Sequence, residues 1–310
     1  MKTQDSHTAS LGTVEYQTVF VDGLNIAYRE AGNPQNPNLV LLHGFPASSH
    51  QYRNLIPALA NRFHVIAPDY PGFGNSDMPD PLKFAYTFDR LAEVTEKFLK
   101  RKGFDRYGLF VQDYGGPVGF RIVTRNPNAL EWLVIQNTNA YEIGFTEAWA
   151  GMRNALWKKR TAESEQGVAG LLEFDTTKAV YLHGHKHPEL ISPDNWNMDN
   201  FFMDRPDARR VQMDLFYDYR TNVQLYPKWQ KFLRDRQPKT IIFWGQNDIF
   251  FTPEGGEAYL QDVPDAEMHR LDSGHFAVED CLEQIATNMA RFYDEKVTQE
   301  ARTVASRKAG

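Results

Sequence analysis

Alternating or wholly apolar stretches at residues 14–21, 25–29 and 39–42 open the chain. Asp22-Gly23 between the first two signals a tight hairpin, and the third run ends in His43-Gly44-Phe45-Pro46. A helical spacing of apolar positions follows over about 51–60, then an apolar run at 63–67 that reads as a buried strand. From there the periods alternate: helix 88–102, strand 107–112, helix 115–125, strand 130–136. Strands separated by helices of this length predict a mostly parallel, doubly wound sheet covered on both faces. Between residues 137 and 237 no clean apolar strand appears, and Trp149, Trp157, Trp196, Tyr217, Tyr219, Tyr226 and Trp229 crowd together. The alternation then resumes with strand 240–244, a helix opening at Thr252-Pro253, strand 267–271 and a helix over about 277–293. The predicted organisation is an α/β core in two parts, 1–136 and 238–297. A helical insertion at 137–237 follows the sixth strand, and 298–310 form a tail. The first dozen residues are also expected to fray.

Three polar residues stand where core strands end. Asp113 follows the fifth strand and precedes Tyr114-Gly115-Gly116 and a helical pattern. Such a sharp strand-to-helix turn lifts one side chain to the top of a sheet, where a nucleophile is exposed to substrate. Serine at that place would form an acyl-enzyme, but the chain contains no G-x-S-x-G. A carboxylate attacks saturated carbon instead and becomes an alkyl ester. Asp248 ends Trp244-Gly245-Gln246-Asn247-Asp248, and His275 ends Asp272-Ser273-Gly274-His275. Chemistry in open α/β sheets gathers at the carboxyl ends of strands, so the three are expected to converge. Asp248 would accept the Nδ1 proton of His275, and His275 would activate water against the ester on Asp113. The backbone N–H groups of Phe45 and Tyr114 would form the oxyanion hole. Singly, each residue has a plainer reading: an Asp beside Gly-Gly as a turn former, a late His as a structural group, Asp248 as a cap. The three in this order speak against coincidence.

Composition narrows the partners. The 310-residue chain carries a net charge of -6, which leaves no basic stripe for phosphates and argues against nucleic acid. No run approaches the length of a membrane span, and Met1 to Ser10 lacks the apolar core of a secretory signal, so a cytoplasmic location is expected. Cys281 is the single cysteine, so no internal disulfide is possible. His183-Gly184-His185-Lys186-His187 is the one competing metal signal. It has no Cys or carboxylate partner at a familiar spacing and reads better as a solvated loop. No metal is expected.

Five runs together carry a family resemblance. They are His43-Gly44-Phe45-Pro46-Ala47-Ser48-Ser49, Val65-Ile66-Ala67-Pro68-Asp69-Tyr70-Pro71-Gly72-Phe73-Gly74-Asn75-Ser76, Gln112-Asp113-Tyr114-Gly115-Gly116, Trp244 to Asp248, and Gly274-His275-Phe276. In this order they resemble the α/β-hydrolases of the epoxide hydrolase and haloalkane dehalogenase group, epoxide hydrolases above all. The resemblance covers residues 14–136 and 238–293 and matches the insertion only loosely, as cap domains do. It implies the α/β-hydrolase fold, no cofactor, and a small, largely uncharged organic substrate with water as the second reactant. A monomer or homodimer is expected.

The same resemblance implies a phenol in the cap that donates to the oxygen of an opening epoxide. Phe216-Tyr217-Asp218-Tyr219-Arg220 looks like that site, with Tyr219 the first choice and Tyr217 the second. Tyr141, Trp157, Tyr181 and His183 are candidates for the other cap position. Haloalkane dehalogenases place Trp after the nucleophile and often Asn after His-Gly; here these are Tyr114 and Phe45. Fluoroacetate dehalogenases place Arg after the nucleophile and again three residues on; here these are Tyr114 and Pro117. The expected activity is therefore epoxide hydrolysis to a vicinal diol, ahead of dehalogenation by the same triad. A non-catalytic ligand receptor on this fold is the reading from another class.

Overall fold

The computed structural model describes residues 12–298. The ends expected to fray lie almost entirely outside these residues. Eight strands form one sheet: β1 (Val14–Val21), β2 (Leu24–Ala31), β3 (Asn38–Leu42), β4 (His64–Pro68), β5 (Tyr107–Gln112), β6 (Leu130–Gln136), β7 (Lys239–Gly245) and β8 (Glu267–Leu271). Their spatial order is β1-β2-β4-β3-β5-β6-β7-β8. β2 runs antiparallel to β1 and β4, and all other neighbours are parallel. Asp22 and Gly23 both take positive φ, 55° and 83°, the twist that a two-residue hairpin needs.

Ten α-helices lie among the described residues: α1 (Leu55–Leu59), α2 (Phe88–Arg101), α3 (Gly115–Arg125), α4 (Ala162–Gln166), α5 (Phe174–Leu182), α6 (Asp194–Met203), α7 (Ala208–Asp218), α8 (Arg220–Arg236), α9 (Pro253–Glu257) and α10 (Leu282–Phe292). Strand side chains alternate between the two faces, and the core divides accordingly. Leu39, Leu41, Phe110, Ile241 and Phe243 pack with α1 and α10 on one face. Val40, Leu42, Leu109, Val111, Ile242 and Trp244 pack with α2, α3 and α8 on the other. Both faces are covered, which is why the central strands read as unbroken apolar runs.

The structure departs from the pattern in two places. The predicted helix over 51–60 is a 3-10 turn, Ser49–Tyr52, followed by α1, and the last helix begins at Leu282 rather than near 277. Residues 276–281 are turns held by Ser273 Oγ, which donates to Asp280 Oδ1 at 2.6 Å. Asp69 holds its loop by accepting from Ser49 N–H at 2.7 Å and Asn75 N–H at 2.8 Å. Among the described residues, no helix is long and apolar enough to cross a membrane.

The segment between β6 and β7 is helical, and among the described residues an isolated β-bridge pairs its Phe145 with Phe251. Trp149, Met152, Leu172, Phe216 and Tyr219 from it share one apolar cluster with the α3 side of the sheet. α8 packs against α3, where Trp229 stacks on Phe120 with ring centroids 5.3 Å apart. Trp229→Ala is expected to lower the free energy of unfolding by about 3–5 kcal/mol in urea titrations, the usual effect of deleting a buried indole.

Candidate active site

The turn after β5 is built by close approach. Asp113 sits at φ 46°, a left-handed conformation that Asp tolerates better than most residues. Its N–H donates to Asn137 O at 3.1 Å, and its own carbonyl accepts from Gly116 N–H at 3.0 Å and Thr138 Oγ1 at 2.7 Å. Glycine is required beside it: a Cβ on Gly115 would stand 2.1 Å from Leu42 O, and one on Gly116 2.0 Å from Thr138 Oγ1. The loop after β3 comes equally near, since a Cβ on Gly44 would lie 2.4 Å from Asp113 Cβ. That proximity lets Phe45 N–H donate to Asp113 Oδ1 at 2.7 Å, and Tyr114 N–H also bonds the carboxylate. Both N–H groups named from the sequence therefore face the carboxylate.

Asp113, Asp248 and His275 come together at the carboxyl ends of β5, β7 and β8. His275 Nδ1 lies 2.9 Å from Asp248 Oδ2. Asp248 is fixed in turn by Phe250 N–H at 2.7 Å and Asn137 Nδ2 at 2.8 Å. Burial pushes the Asp113 carboxyl up to about 6; His275 and the two N–H groups restrain the rise, and Asp248 adds to it. For His275 burial works toward the neutral ring, but bonded Asp248 and nearby Asp113 outweigh it and raise its pKa. The site thus holds a reluctant carboxylate facing a histidine with a fixed Nδ1 proton.

Phe45, Tyr114, Trp149, Met152, Leu171, Phe216 and Phe250 line a narrow pocket over Asp113 and His275, with a cavity volume of about 20 Å³. A hollow of about 1060 Å³ between Leu130, Phe232 and Lys239 lies at the amino ends of β6 and β7, away from these groups. The cavity wall is apolar, and it omits several residues expected there. Tyr219 is fully buried one layer behind, its ring 4.6 Å from Trp149 and 6.0 Å from Tyr114. Its hydroxyl approaches that of Tyr226 but neither completes a hydrogen bond. Tyr217 stands outside the wall because Arg220 and Arg160 cover its ring at 3.6 and 5.5 Å. Trp157 stacks behind Tyr219 and donates to Phe216 O at 2.8 Å. Tyr141 and Tyr181 give their hydroxyls to Asp262 and Asp199.

His183 is exposed and contributes backbone only, its carbonyl packing where a Cβ on Gly274 would lie 2.1 Å away. The expectation of a solvated histidine loop is corrected at His185, which is buried with Nδ1 2.9 Å from Asp280 Oδ2. Among the described residues no group of histidine, cysteine and carboxylate side chains is placed to hold a metal.

An amide shell to which the sequence assigns no role surrounds the triad. Gln112, Gln136 and Asn137 all reach the triad: Gln112 Nε2 lies 2.9 Å from His275 Nε2, and Gln136 Nε2 donates to His275 O at 3.1 Å. Their place at two adjacent strand ends was the only available signal.

A family model described as alpha/beta hydrolase fold matches residues 37–280. An uncharacterized hydrolase of Saccharomyces cerevisiae is 38% identical over 278 residues, which span 88% of this chain and 95% of the yeast protein. A haloalkane dehalogenase of Bradyrhizobium diazoefficiens is 36% identical over 295 residues, 89% of this chain and 93% of its own. Among solved structures, the ligand-free epoxide hydrolase CorEH aligns over 91% of this chain and 99% of its own with a TM-score of 0.74. At 21% identity that likeness is one of fold.

Asp113→Asn removes a charge that the folded state resists. The carboxyl rises from 3.8 to about 6 on folding, so its ionisation destabilises the native state fully above pH 6 and not at all below about 4. Two pH units correspond to at most roughly 3 kcal/mol. The variant is expected to unfold at higher denaturant than the parent at pH 8, with the gain vanishing by pH 4.

Proposed function

The chain belongs to the alpha/beta hydrolase fold family, and on that premise we propose that it hydrolyses small uncharged epoxides through an alkyl ester on Asp113. The observation that carries this reading is a buried carboxylate under two peptide N–H groups, opposite a histidine fixed on a second carboxylate. Asp113 attacks an epoxide carbon, the ring C–O bond breaks, and a phenol gives its proton to the oxygen. His275 then takes a proton from water, whose oxygen bonds to Asp113 Cγ; the N–H groups of Phe45 and Tyr114 hold the oxyanion. Collapse releases the alcohol oxygen, which takes the proton from His275. The proton left on Asp113 returns to the phenolate, so epoxide and water become a vicinal diol. Segment 137–237 acts as the cap over this chemistry.

Two features support epoxide over halide. Departing halides are bound by N–H donors, yet the indole N–H groups of Trp149 and Trp157 are engaged by Phe250 O and Phe216 O at 2.9 and 2.8 Å. Tyr114, by contrast, carries a buried hydroxyl without a partner on the wall, and behind it the Tyr219 hydroxyl faces that of Tyr226. A phenol remains neutral at pH 7 and donates to developing alkoxide. The second reading, haloalkane dehalogenation, is favoured by the 36% identical Bradyrhizobium dehalogenase.

Intact-protein mass after exposure to epoxides and bromoalkanes tests the ester. Asp113→Ala is expected to lose at least about 10⁴-fold in turnover, and His275→Gln to gain the mass of one substrate and keep it. No adduct with any substrate, or stoichiometric binding without product, refutes the mechanism; bromide release without diol formation moves the assignment to the second reading. Tyr114→Phe is expected to slow ester formation from epoxides about 10²-fold while sparing bromoalkanes, and combination with Tyr219→Phe to abolish it. Unchanged epoxide rates in the double variant would place the donor elsewhere.

A further inference from the structure

Gln112 and Gln136 are direct neighbours in the ladder at the ends of β5 and β6. Gln136 anchors the His275 backbone; Gln112 meets the ring itself, Nε2 to Nε2 at 2.9 Å. Asp248 engages Nδ1, so the neutral ring presents a lone pair at Nε2 and the amide donates to it. Gln112 is fully buried, and its Oε1 has no hydrogen-bond partner. A buried amide oxygen left empty is unfavourable, and buried polar atoms in this state call for a reason. The reason follows from the charge that His275 must take up. An imidazolium carries N–H at Nε2, repels the amide N–H and needs an acceptor there; the empty Oε1 is a half-turn of the amide away.

We propose that Gln112 is a positioning residue for His275, donating to Nε2 of the neutral ring and turning its amide to accept from Nε2 of the protonated one. The role rests on the covalent reading above. As the amide swings off Nε2 and water attacks the ester, the water O–H bond breaks, its proton goes to the freed Nε2 lone pair and its oxygen bonds to Asp113 Cγ. Gln112 Oε1 then holds the new N–H in place until the departing alcohol oxygen takes that proton. Oε1 occupies the space that Gly44 leaves by lacking a side chain, since a Cβ there would lie 2.4 Å from it. The charged groups facing the ring are Asp248 from the loop after β7 and Asp113 from the turn after β5. Phe250, Phe251 and Phe276 pack against it, and His185 with Asp280 sits behind Gly274.

Two variants of the full chain test the role. Gln112→Glu sets a permanent acceptor on Nε2 and is expected to raise the His275 pKa by at least one unit in an NMR titration of ¹³C-labelled histidine. Gln112→Met offers neither donor nor acceptor and is expected to slow ester hydrolysis about 10²-fold, so that the alkylated protein accumulates during turnover. Ester formation in that variant should change less than about threefold, a split that general loss of structure would not produce. An unmoved His275 titration in Gln112→Glu, or parental hydrolysis in Gln112→Met, overturns the role. If His275→Gln traps no ester from any epoxide or bromoalkane, the covalent reading falls and this role with it. A titration that still moves then marks a structural contact alone.

Discussion

A carboxylate kept out of water, on a residue of left-handed conformation, is the constraint around which the end of the sheet is arranged. Asp113 can hold its charge there because two peptide N–H groups and a histidine oppose the effect of burial. Each of those partners makes a demand in turn. The Phe45 N–H reaches it only because Gly44 lacks a Cβ, and the turn closes only because Gly115 lies against Leu42 O. β3 and β5 are parallel neighbours, so the loops after them meet. His275 needs Asp248, and Asp248 needs Asn137, itself at φ 36°. The strain and desolvation gathered here are sustained by two apolar layers, one on each face of the sheet.

The core was legible because its signals are local. Unbroken apolar runs such as 107–112 can only be strands buried on both faces, and Asp-Tyr-Gly-Gly after one of them marks a turn with room for a side chain at its apex. The convergence of Asp113, Asp248 and His275 followed from strand ends alone. The cavity wall was not legible, for a physical reason. Tyr217 and Tyr219 look alike in sequence, yet one lies under two guanidinium groups and the other is sealed behind Trp149 and Tyr114. Aromatic spacing in a helical segment says that faces are buried without saying against what. Gln112 and Gln136 escaped notice because an amide at a strand end has no distinctive pattern; its meaning comes from the ring opposite. His183 and His185 exchanged places for the same reason, two residues apart and one of them buried against Asp280.

The apolar wall and the reluctant carboxylate form one electrostatic arrangement. Phe45, Trp149, Met152, Phe216 and Phe250 leave little room for water over Asp113, which raises its proton affinity and weakens its solvation together. A poorly solvated carboxylate is a better nucleophile toward carbon. Beyond Asp113 and His275 the lining carries no charged side chain.

The short stretch around Gly184 joins parts of the molecule that the order of elements would separate. Asn247, immediately before Asp248, gives its amide to Gly184 O at 2.9 Å, while His183 O lies over Gly274, immediately before His275. Part of the helical segment is thus a spacer between the acid and the base. The segment is consequently not interchangeable: exchanging it for a relative's would also shift the contacts that hold Asn247 and Gly274, and with them the spacing of Asp248 and His275.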